Sequence, residues 1–397
     1  MRIAIGVLVA TTASVHADWA LNDAKDWVSL SAHARIVGGV TSGDFEELAA
    51  HAHDPNQDVV LQGLEVGANL RLNDHIQGFA TVNVFQNFED ELDAEWEEGF
   101  LKLVELPGGF ELRGGRYLNR FGGQNSKHLH SWDFVDANLV TANFLGDEGL
   151  VTEGGEVTWI WDGPVTSAFS LALGSALEHD HHGEHEEEEH EDEDEEEEDD
   201  HDHDHGHGGA EDAFFSDEVL TGRWLVRWDQ NDFHRHEWGL NFGLGENGYG
   251  RDTTLYSGDY YYTYRSNGLE PGGKFLRVGG ELYYREVEWH DEDEGIDGSG
   301  EHWGAVVSAT YGFAEDWETS LRYGWIQGES SGPEPDEVIF EVEERHRVSA
   351  ALTKRFRIAE EQSAFARVQA NFDDLPEGNE QSVFLQIGFD WGGPEIR

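Results

Sequence analysis

From end to end the chain alternates apolar and polar residues with a period of two, and no other feature restricts its fold as much. Over residues 64–72 (LEVGANLRL), Leu64, Val66, Ala68, Leu70 and Leu72 share one face, while Glu65, Gly67, Asn69 and Arg71 share the other. Residues 381–391 repeat the pattern, with Val383, Leu385, Ile387, Phe389 and Trp391 opposing Ser382, Gln386, Gly388 and Asp390. Stretches 238–244 and 345–358 do likewise. Successive side chains of a strand point to opposite faces, so this is sheet with one apolar face and one wet face.

About sixteen such segments follow one another, each near the roughly 9–11 residues that carry a tilted strand across a bilayer. Short connections at 73–74, 107–109, 162–164, 230–232, 314–316 and 359–361 interleave with long ones at 41–57, 118–150, 178–216, 291–300 and 329–341. Two fairly short connections on the long side (90–94 and 246–250) and one longer turn on the short side (266–273) blur the alternation. A soluble sandwich has no reason to gather its long loops at one end, whereas an outer-membrane barrel does. The expected fold is all-β: a transmembrane antiparallel up-and-down β-barrel of about 16 strands within residues 18–397. Trp159, Trp161, Trp224, Trp228, Trp238, Trp317, Trp325 and Trp391 lie toward segment ends, where barrels carry interfacial girdles.

Residues 1–17 read as a signal peptide: Arg2, an apolar core at 3–10, and Val15-His16-Ala17 before cleavage at Asp18. No other segment approaches the roughly 18–20 apolar residues of a spanning helix. Cysteine is absent, so any metal must be held by imidazole and carboxylate. The net charge of −58 makes nucleic acid a poor partner. Mean hydropathy of −0.60 excludes a helical membrane protein but not a barrel, whose strands are only half apolar.

The connection 178–216 contains a tract (178–207) of nine histidines, His179, His181, His182, His185, His190, His201, His203, His205 and His207, among aspartate and glutamate. So charged a tract cannot bury enough apolar surface to fold and is expected as a disordered outer loop. Its imidazole clusters favour zinc, nickel or copper(II), bound weakly and in exchange.

The connection 118–150 is different, being rich in aromatics and discrete polar groups. As the third outer loop it is the candidate for a constriction folded into the lumen. It runs Arg120-Phe121-Gly122-Gly123-Gln124-Asn125, Lys127-His128-Leu129-His130, Trp132-Asp133-Phe134-Val135-Asp136. This R-F-G-x-x-N-x-x-H-x-H-x-W-D-F-V-D run, with a Gly/Glu-rich re-entry at 149–159, resembles the zinc-regulated outer-membrane receptor, or porin-like, family of Gram-negative bacteria. An inserted His/acid tract is also typical of that family. The resemblance is strongest over residues 95–161 and implies a cell outer-membrane location. The receptor half of the label fits poorly, because strand-like alternation starts soon after the expected cleavage site and leaves no room for a plug. A plug-less barrel is expected.

His128 and His130 would share one side of an extended chain and ligate a metal, with Asp133 and Asp136 completing the site. Alternatively the histidines and Trp132 pin the loop to the barrel wall. His51 and His53 form a weaker metal pair, and His234 and His236 fall near an inner turn, at the membrane interface. Arg113, Arg120, Arg345, Arg347 and Arg355 are the expected lumen cations; facing acidic loops, they would set a transverse field. No G-x-S-x-G, H-E-x-x-H or P-loop is present, and no enzyme is expected.

The combined expectation is a porin-like channel for divalent metal, zinc foremost, as ligand or cargo, with no required cofactor. The tract would face outward and concentrate cations. Outer-membrane lipid, the barrel-assembly machinery and a homotrimer are the expected partners. Two alternatives stand beside it: a surface metal-buffering or adhesive protein anchored by a closed barrel, and a porin for a small anionic solute.

Overall fold

The structure, a computed structural model, describes residues 27–43, 59–87, 91–146, 149–177, 214–216, 218–270, 272–291, 296–331, 342–359, 362–376, 378–392 and 395–396. The expected signal peptide, His51, His53 and the nine tract histidines lie outside the described residues.

The strands are β1 (Val28–Thr41), β2 (Val60–Arg71), β3 (Ile76–Gln86), β4 (Leu92–Leu106), β5 (Phe110–Leu118) and β6 (Val151–Trp161). They continue with β7 (Thr166–Leu177), β8 (Glu218–Asn231), β9 (His234–Glu246), β10 (Asp252–Arg265) and β11 (Phe275–Asp291). The last five are β12 (Ile296–Ala314), β13 (Trp317–Ser331), β14 (Arg345–Ala359), β15 (Gln362–Leu375) and β16 (Gly378–Gly392). Each pairs antiparallel with its chain neighbours, and β1 with β16 closes the barrel, setting Ala34 opposite both Phe389 and Leu64. The sixteen-strand expectation holds, and the third long connection falls between β5 and β6 as expected. One connection on the long side departs from the pattern, since only residues 376–377 join β15 to β16.

The two faces of the alternation have the exposures of a membrane barrel. On β16, Val383, Leu385, Ile387 and Phe389 are between 42 and 53 % exposed, while the intervening Ser382, Phe384 and Gln386 are at most 2 %. Soluble monomers rarely expose contiguous apolar patches beyond a few hundred Å². Here the apolar face continues around the barrel, and lipid is the solvent that suits it. Trp159, Trp161, Trp224 and Trp317 are exposed on it near the short turns. His236 stacks on Trp228 and pairs through Nδ1 with the Tyr260 hydroxyl at 2.8 Å, an interfacial arrangement.

The third connection folds inside the barrel. It holds a 3-10 turn (Leu129–Ser131) and helix α1 (Leu139–Leu145), capped by Asn138, whose side chain accepts from the Thr141 N–H at 2.8 Å. Phe121, Val140 and Phe144 pack with Val219, Leu255, Tyr283 and Ile326 from the inner wall, in the half nearer the long connections. The wall is cut back to let the helix in: a Cβ on Gly304 would sit 2.7 Å from Phe144 and Val140. Contacts between α1 and β11, β12 and β13 follow from that close approach.

Candidate functional site

The histidine end of the loop meets carboxylates. His128, 3 % exposed, pairs through Nδ1 with Glu97 at 2.9 Å and through Nε2 with Glu98 at 2.7 Å. Glu97 and Glu98 both reach it because β4 carries a bulge opposite Thr81 and Val82, leaving Glu97 as the extra residue. His130 pairs through Nδ1 with Glu65 of β2, and its ring stacks on that of His33 at 3.9 Å between centroids. His33 in turn holds Asp390 through Nδ1 at 3.0 Å. Arg35 ties this corner together, donating to Asp390 at 2.6 Å and to the His130 carbonyl at 2.8 Å. The tail beyond β16 returns to the same place: Ile396 N–H donates to Asn69 at 2.6 Å, and Glu395 lies 3.6 Å from His130 Nε2 and 3.9 Å from His33 Nε2. Among the described residues, two sets of donor atoms lie within ion-holding distance of one another, Glu65/Glu97/His128 and His33/His130/Glu395.

The aspartate end meets arginines. Asp136, 2 % exposed, accepts from Arg322 at 2.7 Å, Arg347 at 3.2 Å and Asn371 at 3.2 Å, and also from Gln369. Burial raises its carboxyl pKa, but Arg322 and Arg347 outweigh that and hold it below the ordinary value. Asp133 accepts from Arg277 at 2.6 Å and from the Thr310 hydroxyl at 3.1 Å. Arg367 donates to the carbonyls of Trp132 and Phe134, each at 2.9 Å. The four residues expected to share one metal are therefore split between two walls. Asp133 and Asp136 are not brought to the histidines, because guanidinium groups occupy their oxygens.

The arginines also divide. Arg345 and Arg347 are buried beneath the loop and share Asp373 at 3.0 and 2.7 Å, so they support the loop and do not face open lumen. Arg113 and Arg120 both turn to Glu156, at 2.7 and 3.5 Å, and Arg355 to Glu318 at 2.8 Å. These three line voids. Cavities of about 460, 610 and 1060 Å³ lie beneath the loop and toward the short turns, and Arg277 lines all of them. Lys127 lines the first two; it donates to Gln124 at 3.1 Å, and burial pushes its pKa down.

Sequence reading missed His33, Glu65, Glu97, Glu98, Asp390 and Glu395. Inward parity was a signal for His33 and Glu65, on strands whose neighbouring residues are apolar. Glu395 belongs to the tail beyond β16, where no alternation marks it.

No family model matches the chain. An uncharacterized protein of Aquifex aeolicus (strain VF5) is 39 % identical over 79 residues, a stretch covering 20 % of this chain and 16 % of that relative's length. Solved structures resemble the whole barrel. A loop L8 deletion mutant of OmpT, an outer membrane protein of Vibrio cholerae, aligns at TM-score 0.51 and 12 % identity, covering 92 % of this chain and 99 % of that one. The outer membrane channel DcaP of Acinetobacter baumannii aligns at TM-score 0.51 and 9 % identity, covering 92 and 96 %. At such identities the likeness shows a shared outer-membrane barrel fold.

Proposed function

We propose that the protein is a porin-like channel of the cell outer membrane that passes small hydrophilic solutes around an inward-folded third loop. The observation that carries this reading is the charge of the voids beneath the loop. The cavity of about 610 Å³ is lined by seven basic and four acidic side chains, in a chain with 25 Lys and Arg against 83 Asp and Glu. Lys102, Arg113, Arg223 and Arg227 all contribute to that lining. Collecting so many of the scarce cations on one wall favours small anions as solutes, since fixed lumen charge selects ions at close quarters.

Divalent metal, zinc foremost, is the competing cargo, supported by the tract at 178–207 and by the resemblance of the third connection to the zinc-regulated family. On that reading the tract faces outward and focuses cations toward the mouth. Assembly by the barrel-assembly machinery and a homotrimeric state belong to both readings.

Planar-bilayer recordings under a potassium chloride gradient separate them. Open steps with an anion-preferring reversal potential, unchanged by deletion of 178–207, are the expected result. Cation preference, with a zinc flux that falls on deletion, would replace the anion reading with the metal one. Absence of any conductance would make the barrel an anchor and the protein a surface metal sink.

A further inference from the structure

Beyond β16 the chain returns to the barrel instead of leaving it. The Ile396 N–H donates to the Asn69 side chain at 2.6 Å, and Asn69 donates in turn to the Ser29 hydroxyl at 3.3 Å. This sets residues 395–396 against β1 and β2. The Glu395 side chain is only 6 % exposed. A carboxylate withdrawn so far from water needs charged groups nearby to offset its lost hydration. Two imidazoles face it, His33 Nε2 at 3.9 Å and His130 Nε2 at 3.6 Å.

The two rings stack at 3.9 Å between centroids with 12° between their planes, so their edges run parallel and do not converge on one point. A single ion cannot serve both, whereas a carboxylate offers two oxygens side by side. One Glu395 oxygen faces His33 and the other faces His130. Each ring is fixed from its other side, His33 by Asp390 at 3.0 Å and His130 by Glu65. A ring that donates at both nitrogens is an imidazolium. Two such rings, with Arg35, balance Asp390, Glu65 and Glu395.

The geometry points to a latch: the tail beyond β16, through Glu395, holds the histidine end of the third loop in place. Only one end of the loop is held this way. Asp136 is clamped by Arg322 and Arg347, which belong to strands and cannot withdraw without breaking the sheet. Glu395 lies outside the sheet, so it can withdraw while every strand pair stays intact. With the latch closed, the ring of His130 is held between wall and tail; with it open, Glu65 alone keeps the ring, and the loop can lift at this end. That such lifting would widen a conducting lumen rests on the channel reading. The latch itself does not.

Trypsin provides the test, because Arg120 and Lys127 are the only Lys or Arg in 118–150 and Lys127 directly precedes His128. The full chain, folded in detergent, is digested beside Glu395→Gln, a deletion of 395–397 and Asp74→Asn, which removes a carboxylate from the short β2–β3 turn. Mass spectrometry follows cleavage after Lys127. Both tail variants should be cut there at least about fivefold faster than wild type, since cleavage follows the population of the opened loop. Asp74→Asn should match wild type. Heat-modifiable gel migration reports whether each barrel is folded, and Glu395→Gln carries the comparison should the deletion fail to fold. Equal rates in wild type and Glu395→Gln overturn the latch, even if the deletion accelerates cleavage, because the hold would then not be the carboxylate. The digestion needs no conductance, so failure of the channel reading leaves its result intact.

Discussion

The histidine end and the aspartate end of the third loop lie only a few residues apart, yet they dock on opposite chemistry. His128 and His130 enter a wall of carboxylates from β2, β4 and β16, whereas Asp133 and Asp136 enter a wall of guanidinium and amide groups from β11, β13, β14 and β15. The loop thus has a polarity matched by the barrel, and matched charge fixes its orientation as well as its depth. The two ends differ in tolerance. An imidazole facing a single carboxylate can serve it as a cation or as a neutral donor, while Asp136 must stay ionised to neutralise two buried arginines.

Asp136→Ala should therefore have the largest effect of any substitution in the loop. It leaves Arg322 and Arg347 buried without their shared counter-charge, at a cost of about 3–5 kcal/mol. Urea unfolding of the barrel in lipid should show it, with noisier conductance from a released loop. Acid gives the same clamp a direction. The folded carboxyl titrates below its ordinary value of 3.8, so its stabilisation is fully present above that value. It is lost only as pH falls further through the folded pKa, and bringing the pH from neutral to about 5 should leave Asp136 docked. Loss of the loop already at about pH 5 would place the weak point elsewhere. Phe144→Ala comes next, at about 3 kcal/mol, because it empties the space against Gly304 and removes the ring under the Arg285 guanidinium, while leaving the partners of His128 and Asp136 in place. His128→Gln should cost about 2 kcal/mol, the loss of two charge-assisted bonds partly replaced by the amide. If His128→Gln proves as costly as Asp136→Ala, the proposed difference between the ends is wrong.

The barrel was legible because period-two patterning is local: every strand states its own inward and outward faces, and the turn lengths state the connectivity. The third loop was legible as an inward-folded segment for a related reason, its aromatics having no place in a solvated loop. Its partners were not. Glu65, Glu97 and Glu98 are three carboxylates among 83 acidic residues, and nothing in one strand says which loop will lie across it. Two bulges add to this. The register shift in β4 turns Glu97 toward the lumen beside Glu98, and one between β1 and β2 leaves Gln62 to donate to the Val135 carbonyl at 2.7 Å. A strict alternation cannot anticipate either. For the same reason the four-residue metal site read from the loop alone could not hold, since Asp133 and Asp136 had arginine partners that only closure of the barrel supplies.

Lys127 lines the same cavity as His130, Asp133 and Asp136, and replacing it tests whether loop polarity reaches the solute. Its ammonium donates to Gln124, lies 5.5 Å from the centre of the Tyr261 ring and lines both smaller cavities. Burial lowers its pKa, and the nearby Asp133 and Glu281 offset only part of that. Lys127→Gln keeps a donor of similar reach and removes one positive charge. Stability should change by less than about 1 kcal/mol, since no anchoring ion pair is broken. The anion preference should weaken measurably, because one fixed charge at a narrow point weighs more than several along the wall. A reversal potential identical to wild type would mean that ions do not pass the junction of the two ends, and the conducting path would have to run along the wall of Arg113 and Arg120.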